Sequence, residues 1–94
     1  MLIVRVIGTT VSTIKDEKLK GKKLLVVQPT DESGKASGKP FVAVDTVDAG
    51  VGDLVLTAAG SSARQTTFTK DAPVDAVIMA VIDSLEVNGK VTFR

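Results

Sequence analysis

The sequence predicts an all-β domain folded as a small barrel. Three observations carry that reading. The apolar residues come in short runs rich in Val and Ile, each bounded by Gly, Pro or Asp. Several of these runs fit a period of two. Asn88-Gly89, set between Val87 and Val91, has the composition of a two-residue type I′ hairpin turn.

In chain order, Leu2 to Ile7 is a β-branched run with Leu2, Val4 and Val6 on one face and Ile3, Arg5 and Ile7 on the other. Gly8 interrupts it, and Thr9 to Ile14 resumes β-favouring residues, so one long strand bent or bulged at Gly8 fits better than two. Lys15 to Lys23 reads as a lysine-rich loop closing at Gly21, either a solvated segment or a contact surface for an acidic partner. Leu24 to Val27 is a short buried strand stopped by Pro29. Thr30 to Pro40 is a turn-rich loop, and Phe41 to Val47 is a third strand with Asp45 in an otherwise apolar stretch. Ala49 to Asp53 is a tight turn whose flanking Asp48 and Asp53 are expected to bond backbone amides. Leu54 to Thr57 is a fourth strand.

Beyond it the chain becomes small and polar, with at most one short helical turn at Ser61 to Gln65. Val74 to Val87 is the most apolar stretch. Ala76 to Ile82 is apolar throughout and leaves the period undecided, but Val77, Ile78, Val81 and Ile82 favour strand. Lys90 to Arg94 then pairs back on Leu85 to Val87 in a C-terminal hairpin. Five or six strands with short turns close most economically as a barrel, which removes free edges.

A chain of 94 residues suffices for one domain and not for two, so residues 1–94 read as a single unit. Hydrophobic residues make up 44% of it and the mean hydropathy is +0.25, a high apolar load for so small a body. That load fits a Val- and Ala-rich core, or surface buried against other chains. The net charge of +1 leaves no electrostatic footprint for nucleic acid. Without Cys, disulfides and thiolate metal sites are excluded; without His, so are the usual neutral-pH acid–base group and the commonest metal ligand. The apolar run at Met1 to Val4 is too short for a signal segment, and no stretch approaches the roughly 20 apolar residues of a membrane span, so the cytoplasm is the expected compartment.

Catalytic motifs do not assemble. Gly34 to Lys39 imitates a phosphate loop, but one residue is missing between the glycines and Pro40 stands where Ser or Thr would hold magnesium. Gly50-Val51-Gly52 leads into a strand, not a helix. Ser61 and Ser62 have no histidine to activate them, and the carboxylates Asp45, Asp48, Asp53, Asp75 and Asp83 lack the spacing of a metal loop. A small barrel invites comparison with oligonucleotide-binding folds. Those stack bases on exposed aromatics, whereas the aromatics here are Phe41, Phe68 and Phe93, better suited to a core or an interface.

The whole chain resembles the EutN/CcmL family, the pentamer-forming vertex proteins of bacterial microcompartment shells. The resemblance runs through Arg5-Val6-Ile7-Gly8, Ser12-Thr13-Ile14-Lys15, Leu19 to Leu24, Val27-Gln28-Pro29 and Ala43-Val44-Asp45. It continues in Gly50-Val51-Gly52-Asp53, Gly60-Ser61-Ser62-Ala63-Arg64, Val74-Asp75-Ala76 and Ile82-Asp83. Each piece is weak alone, but their order and spacing are specific. The resemblance implies a five-stranded barrel like the oligonucleotide-binding (OB) fold and a homopentamer that caps the vertices of a polyhedral shell. It implies hexameric facet proteins as partners, with no cofactor, no catalysis, and no role for nucleic acid or membrane. It also implies that Gly60, Ser61 and Ser62 lie near the fivefold axis and line a narrow pore, or else form a plain surface turn. Arg64 would pair with a carboxylate, Asp45 or Asp83, across the subunit interface or within its own chain. The alternative is a monomeric OB-like barrel that binds single-stranded nucleic acid or another ligand.

Overall fold

The computed structural model describes residues 1–10, 21–59 and 76–94, and among them every regular element is a strand. The strands are β1 (Leu2–Thr9), β2 (Lys23–Pro29), β3 (Phe41–Asp45), β4 (Leu54–Ala59), β5 (Ala76–Val81), β6 (Leu85–Val87) and β7 (Lys90–Phe93). The first five close into a barrel in the order β1-β2-β3-β5-β4, and β6 and β7 form a separate two-stranded sheet. This is the all-β, five-stranded barrel with a C-terminal hairpin that the sequence predicts. The helical turn at Ser61 to Gln65 and the continuation of β1 to Ile14 lie outside the described residues.

The alternation in β1 emerges as expected. Val4 and Val6 point inward and are fully buried, while Leu2 is 47% exposed at the strand's start. The register against β2 shifts between Val6 and Gly8, so the bulge sits where the glycine marked it. Gly8 has no positive φ, and a Cβ there would meet only the Val26 Cβ, at 3.9 Å. The irregularity therefore comes from pairing, not from a conformation reserved for glycine.

Several strand boundaries differ from the sequence reading, β4 among them, which runs two residues past Thr57 to Ala59. Pro29 does not stop β2 short but is its last residue, paired with Val4. A proline is tolerated there because it ends the strand, where its missing N–H costs no interior ladder bond. Lys23 begins β2 and does not belong to the preceding loop. β3 ends at Asp45, two residues early, because the Asp45 carboxylate captures the amides that follow it.

The core explains why the stretch 76–82 shows no clean period. Ala76 and Ile78 face a cluster with Val4, Val6, Leu25, Val27, Ala43, Ala49 and Val55. The intervening Val77 packs with Val44 and Ala58, and Leu24 lies against them. The first half of β5, Ala76 to Ile78, is thus covered on both faces, while Met79 and Val81 beyond it are exposed, so the apolar run follows no single buried stripe. Each fully buried Val or Ile contributes on the order of 1.5–3 kcal/mol. The barrel closes between β3 and β5 on two parallel pairs, Val44 with Val77 and Asp45 with Ile78. Just beyond them the Thr46 hydroxyl donates to the Ile78 carbonyl at 2.7 Å and prolongs the seam. The hairpin turn has φ 53° at Asn88 and φ 79° at Gly89, the two left-handed residues of a type I′ turn.

Candidate interface site

Of the residues expected at a subunit interface or axis, Gly60, Ser61, Ser62 and Arg64 lie outside the described residues. Asp45 and Asp83 are described, and the structure places them differently. Asp83 is exposed in the bend between β5 and β6. Asp45 is the last residue of β3, and its side chain is fully buried.

Asp45 organises the connection from β3 to β4. Its Oδ1 accepts from the Val47 amide at 3.0 Å and the Ala49 amide at 3.2 Å, which turns the chain and lets Ala49 tuck into the core. Its Oδ2 makes no hydrogen bond but faces the Lys23 ammonium at 3.3 Å. The same Nζ donates to Asp48 Oδ1 at 2.8 Å and to the Ala49 carbonyl at 3.3 Å. Lys23 is thus shared between a buried and an exposed carboxylate. The hydrogen bond to Asp48, then the close approach of the Asp45 carboxylate, holds its pKa above the ordinary lysine value. In turn the Lys23 hydrogen bond holds Asp48 below the ordinary carboxylate value. Gly21, Lys22, Lys23, Asp45, Thr46 and Asp48 line an open pocket of about 260 Å³.

The structure corrects one expectation for this turn. Asp53 does bond a backbone amide, that of Gly50 at 2.8 Å, but Asp48 does not. Asp48 sits at φ 58° with its carboxylate in solvent against Lys23, and Asp45 takes the amides instead. The phosphate-loop look-alike begins in a tight turn set by Asp31. Asp31 Oδ1 accepts from the Ser33 amide, the Ser33 hydroxyl and the Lys35 amide at 2.7–3.0 Å. These bonds, the hydroxyl first, hold the Asp31 pKa low. The Lys35 amide is thereby engaged, the Gly34 amide donates to the Asp31 carbonyl at 3.1 Å, and the Ser37 amide donates to the Pro29 carbonyl at 2.8 Å.

Sequence reasoning missed Lys23 and Arg5. Lys23 looked like one more solvated lysine, and only the pairing of β2 with β3 brings it to Asp45. Arg5 leaves β1 on the outer face and reaches two carbonyls, Gly52 at 2.8 Å and Gly34 at 3.2 Å. A lone Arg among Ile and Val on a strand was the available signal.

The described surface keeps apolar residues exposed on several elements, Val42 of β3, Val51 of the turn before β4 and Val91 of β7 among them.

Against known proteins, the family model described as ethanolamine utilisation protein EutN/carboxysome matches residues 1–83. The chain is 46% identical to the carboxysome shell vertex protein CcmL of Synechococcus elongatus, over 96% of this chain and 91% of the relative. Its fold superposes on CcmL of Nostoc sp. with a TM-score of 0.91 and 44% identity, covering 99% of this chain and 98% of that one. It superposes on GrpN of Rhodospirillum rubrum, described as a pentameric microcompartment shell protein, with a TM-score of 0.82 and 44% identity, covering 93% and 99% of the two chains.

Proposed function

The chain belongs to the EutN/CcmL family, and on that premise we propose that residues 1–94 act as one domain, a structural subunit whose homopentamer caps a vertex of a bacterial microcompartment shell. The observation that carries this reading is similarity along nearly the whole chain to shell vertex proteins, a pentameric one among them. The protein works within the shell, in the cytoplasm, and its partners are copies of itself and the hexameric proteins of the adjoining facets. Its role is mechanical and it catalyses no reaction.

The physical features agree. A fivefold ring uses two different patches on each subunit, one for each neighbour. The exposed Val42, Val51 and Val91 give apolar surface for such contacts. Gly60, Ser61 and Ser62, small enough for five chains to approach, take the axis in this reading. Arg64 pairs across the interface with Asp45 or Asp83.

Native mass spectrometry of the purified chain tests the assembly. Five copies of the 9.8 kDa subunit give about 49 kDa. A dominant species of that mass, without cofactor, is the expected result. A monomer at every accessible concentration would overturn the vertex role and leave a ligand-binding barrel as the better reading.

A further inference from the structure

The β6–β7 hairpin shares no ladder with the barrel; its pairs are Leu85 with Phe93, Glu86 with Val91 and Val87 with Lys90. An isolated two-stranded sheet is marginal in water, so its seat on the barrel depends on side chains. Arg5 is placed to supply that seat. Its Cα is fixed on both sides, paired with Gln28 of β2 and Leu54 of β4. From there Nη1 donates to the Gly52 carbonyl at 2.8 Å and Nη2 to the Gly34 carbonyl at 3.2 Å. The guanidinium carbon lies 5.7 Å from the centre of the Phe93 ring. Beside it, the Thr92 hydroxyl donates to the Glu32 carbonyl at 2.5 Å, tying β7 to the same loop.

Gly34 marks where the pieces meet. It holds φ 88°, and a Cβ there would stand 2.7 Å from Arg5 Nη2 and 3.5 Å from Phe93 Cδ1. The loop thus presents bare backbone to the guanidinium and the ring at once. Only a planar fork with several donors serves two carbonyls from different segments while presenting a flat face to an aromatic ring.

We propose that Arg5 is the positioning residue of the C-terminal hairpin, clamping the turn before β4, the loop after β2 and the Phe93 ring into one arrangement. The clamp makes barrel and hairpin a single shape. It acts within one chain and does not rest on the pentameric reading, which the wild-type mass tests separately.

Hydrogen exchange of the full chain, read by mass spectrometry, tests the clamp. Arg5→Met removes two charge-assisted hydrogen bonds and the ring contact. Exchange across residues 84–94 is expected to rise about tenfold while β2 to β5 keep their rates. Arg5→Lys keeps the charge but cannot serve both carbonyls, and falls between Met and wild type. Phe93→Leu loosens the same peptide from the other side, about threefold, and carries the test should Arg5→Met not fold. Because the two residues act on one contact, Arg5→Met with Phe93→Leu should exceed the worse single variant by less than the product of the two effects. Unchanged hairpin exchange in Arg5→Met or Phe93→Leu overturns the proposal. So does wild-type exchange in Arg5→Lys, or loosening spread evenly over the barrel.

Discussion

Lys23 joins two carboxylates in different surroundings, and the difference sets what each contributes. The Asp48 side chain is 94% exposed, so water screens its pairing and truncation costs little. The Asp45 side chain has no exposure, and removing its cation leaves a charge with no water to replace it. Lys23→Met is therefore expected to destabilise the fold more than Asp48→Ala, as read by urea denaturation at neutral pH. The pH dependence follows from the directions of the shifts. Asp48 is held below its ordinary 3.8, so its stabilisation is complete above that value and fades as pH falls through the lower folded pKa. Lys23 is held above its ordinary 10.5, so its stabilisation is complete below that value and fades as pH rises through the higher folded pKa. The stability gap between wild type and Lys23→Met should stay level from pH 5 to 9 and narrow in acid and in strong base. A gap unchanged at pH 3 would show that the exposed carboxylate contributes nothing.

At the scale of elements, the seam between β3 and β5 is where the barrel is least tied by backbone. Two parallel pairs close it, and the Thr46 hydroxyl on the Ile78 carbonyl extends it. Thr46→Val keeps the shape and removes the donor, so about 1 kcal/mol of stability should be lost, with Thr46→Ser retaining most of it. Equal stability of all three proteins in chemical denaturation would remove the hydroxyl from the account of closure. The same seam shows what the sequence could reveal. Strands with one wet face, such as β1, announce themselves by alternation, and Asn88-Gly89 announces the hairpin through the φ values it permits. β5 hides its period because its first three residues are buried on both faces and the exposed Met79 and Val81 that follow are apolar too, so β-branching alone favours strand. Local chemistry also marks the right turn and one of its acids, Asp53, but not the second, which is Asp45 and not Asp48. Asp45 and Asp48 are equally suited to capping by residue type; the buried Asp45 takes the amides, while Asp48, at φ 58°, holds its carboxylate in solvent against Lys23, which β2 brings alongside both. A contact spanning 25 residues leaves no local trace. The Arg5 clamp likewise joins positions that only the closed barrel brings together.

For the molecule as a whole, fivefold symmetry amplifies any charge near the axis. One carboxylate per subunit becomes five within a few ångströms of each other, whereas the same carboxylate on a barrel's outer wall meets none of its copies. Ser61→Glu exploits that difference. If Ser61 lies at the axis, the variant concentrates five like charges, and mutual repulsion should shift the native mass distribution from pentamer toward smaller species at low salt. The Debye length falls from about 10 Å at 0.1 M to about 3 Å at 1 M, so high salt should restore part of the pentamer. Ser61→Ala, which adds no charge, should assemble like the parent, separating repulsion from loss of the hydroxyl. Thermal unfolding of the dissociated barrel should be little changed, since the charge is unfavourable only in company. A Ser61→Glu protein as fully pentameric as the parent at low salt would move Gly60, Ser61 and Ser62 away from the axis, while leaving the pentamer to be built on other contacts.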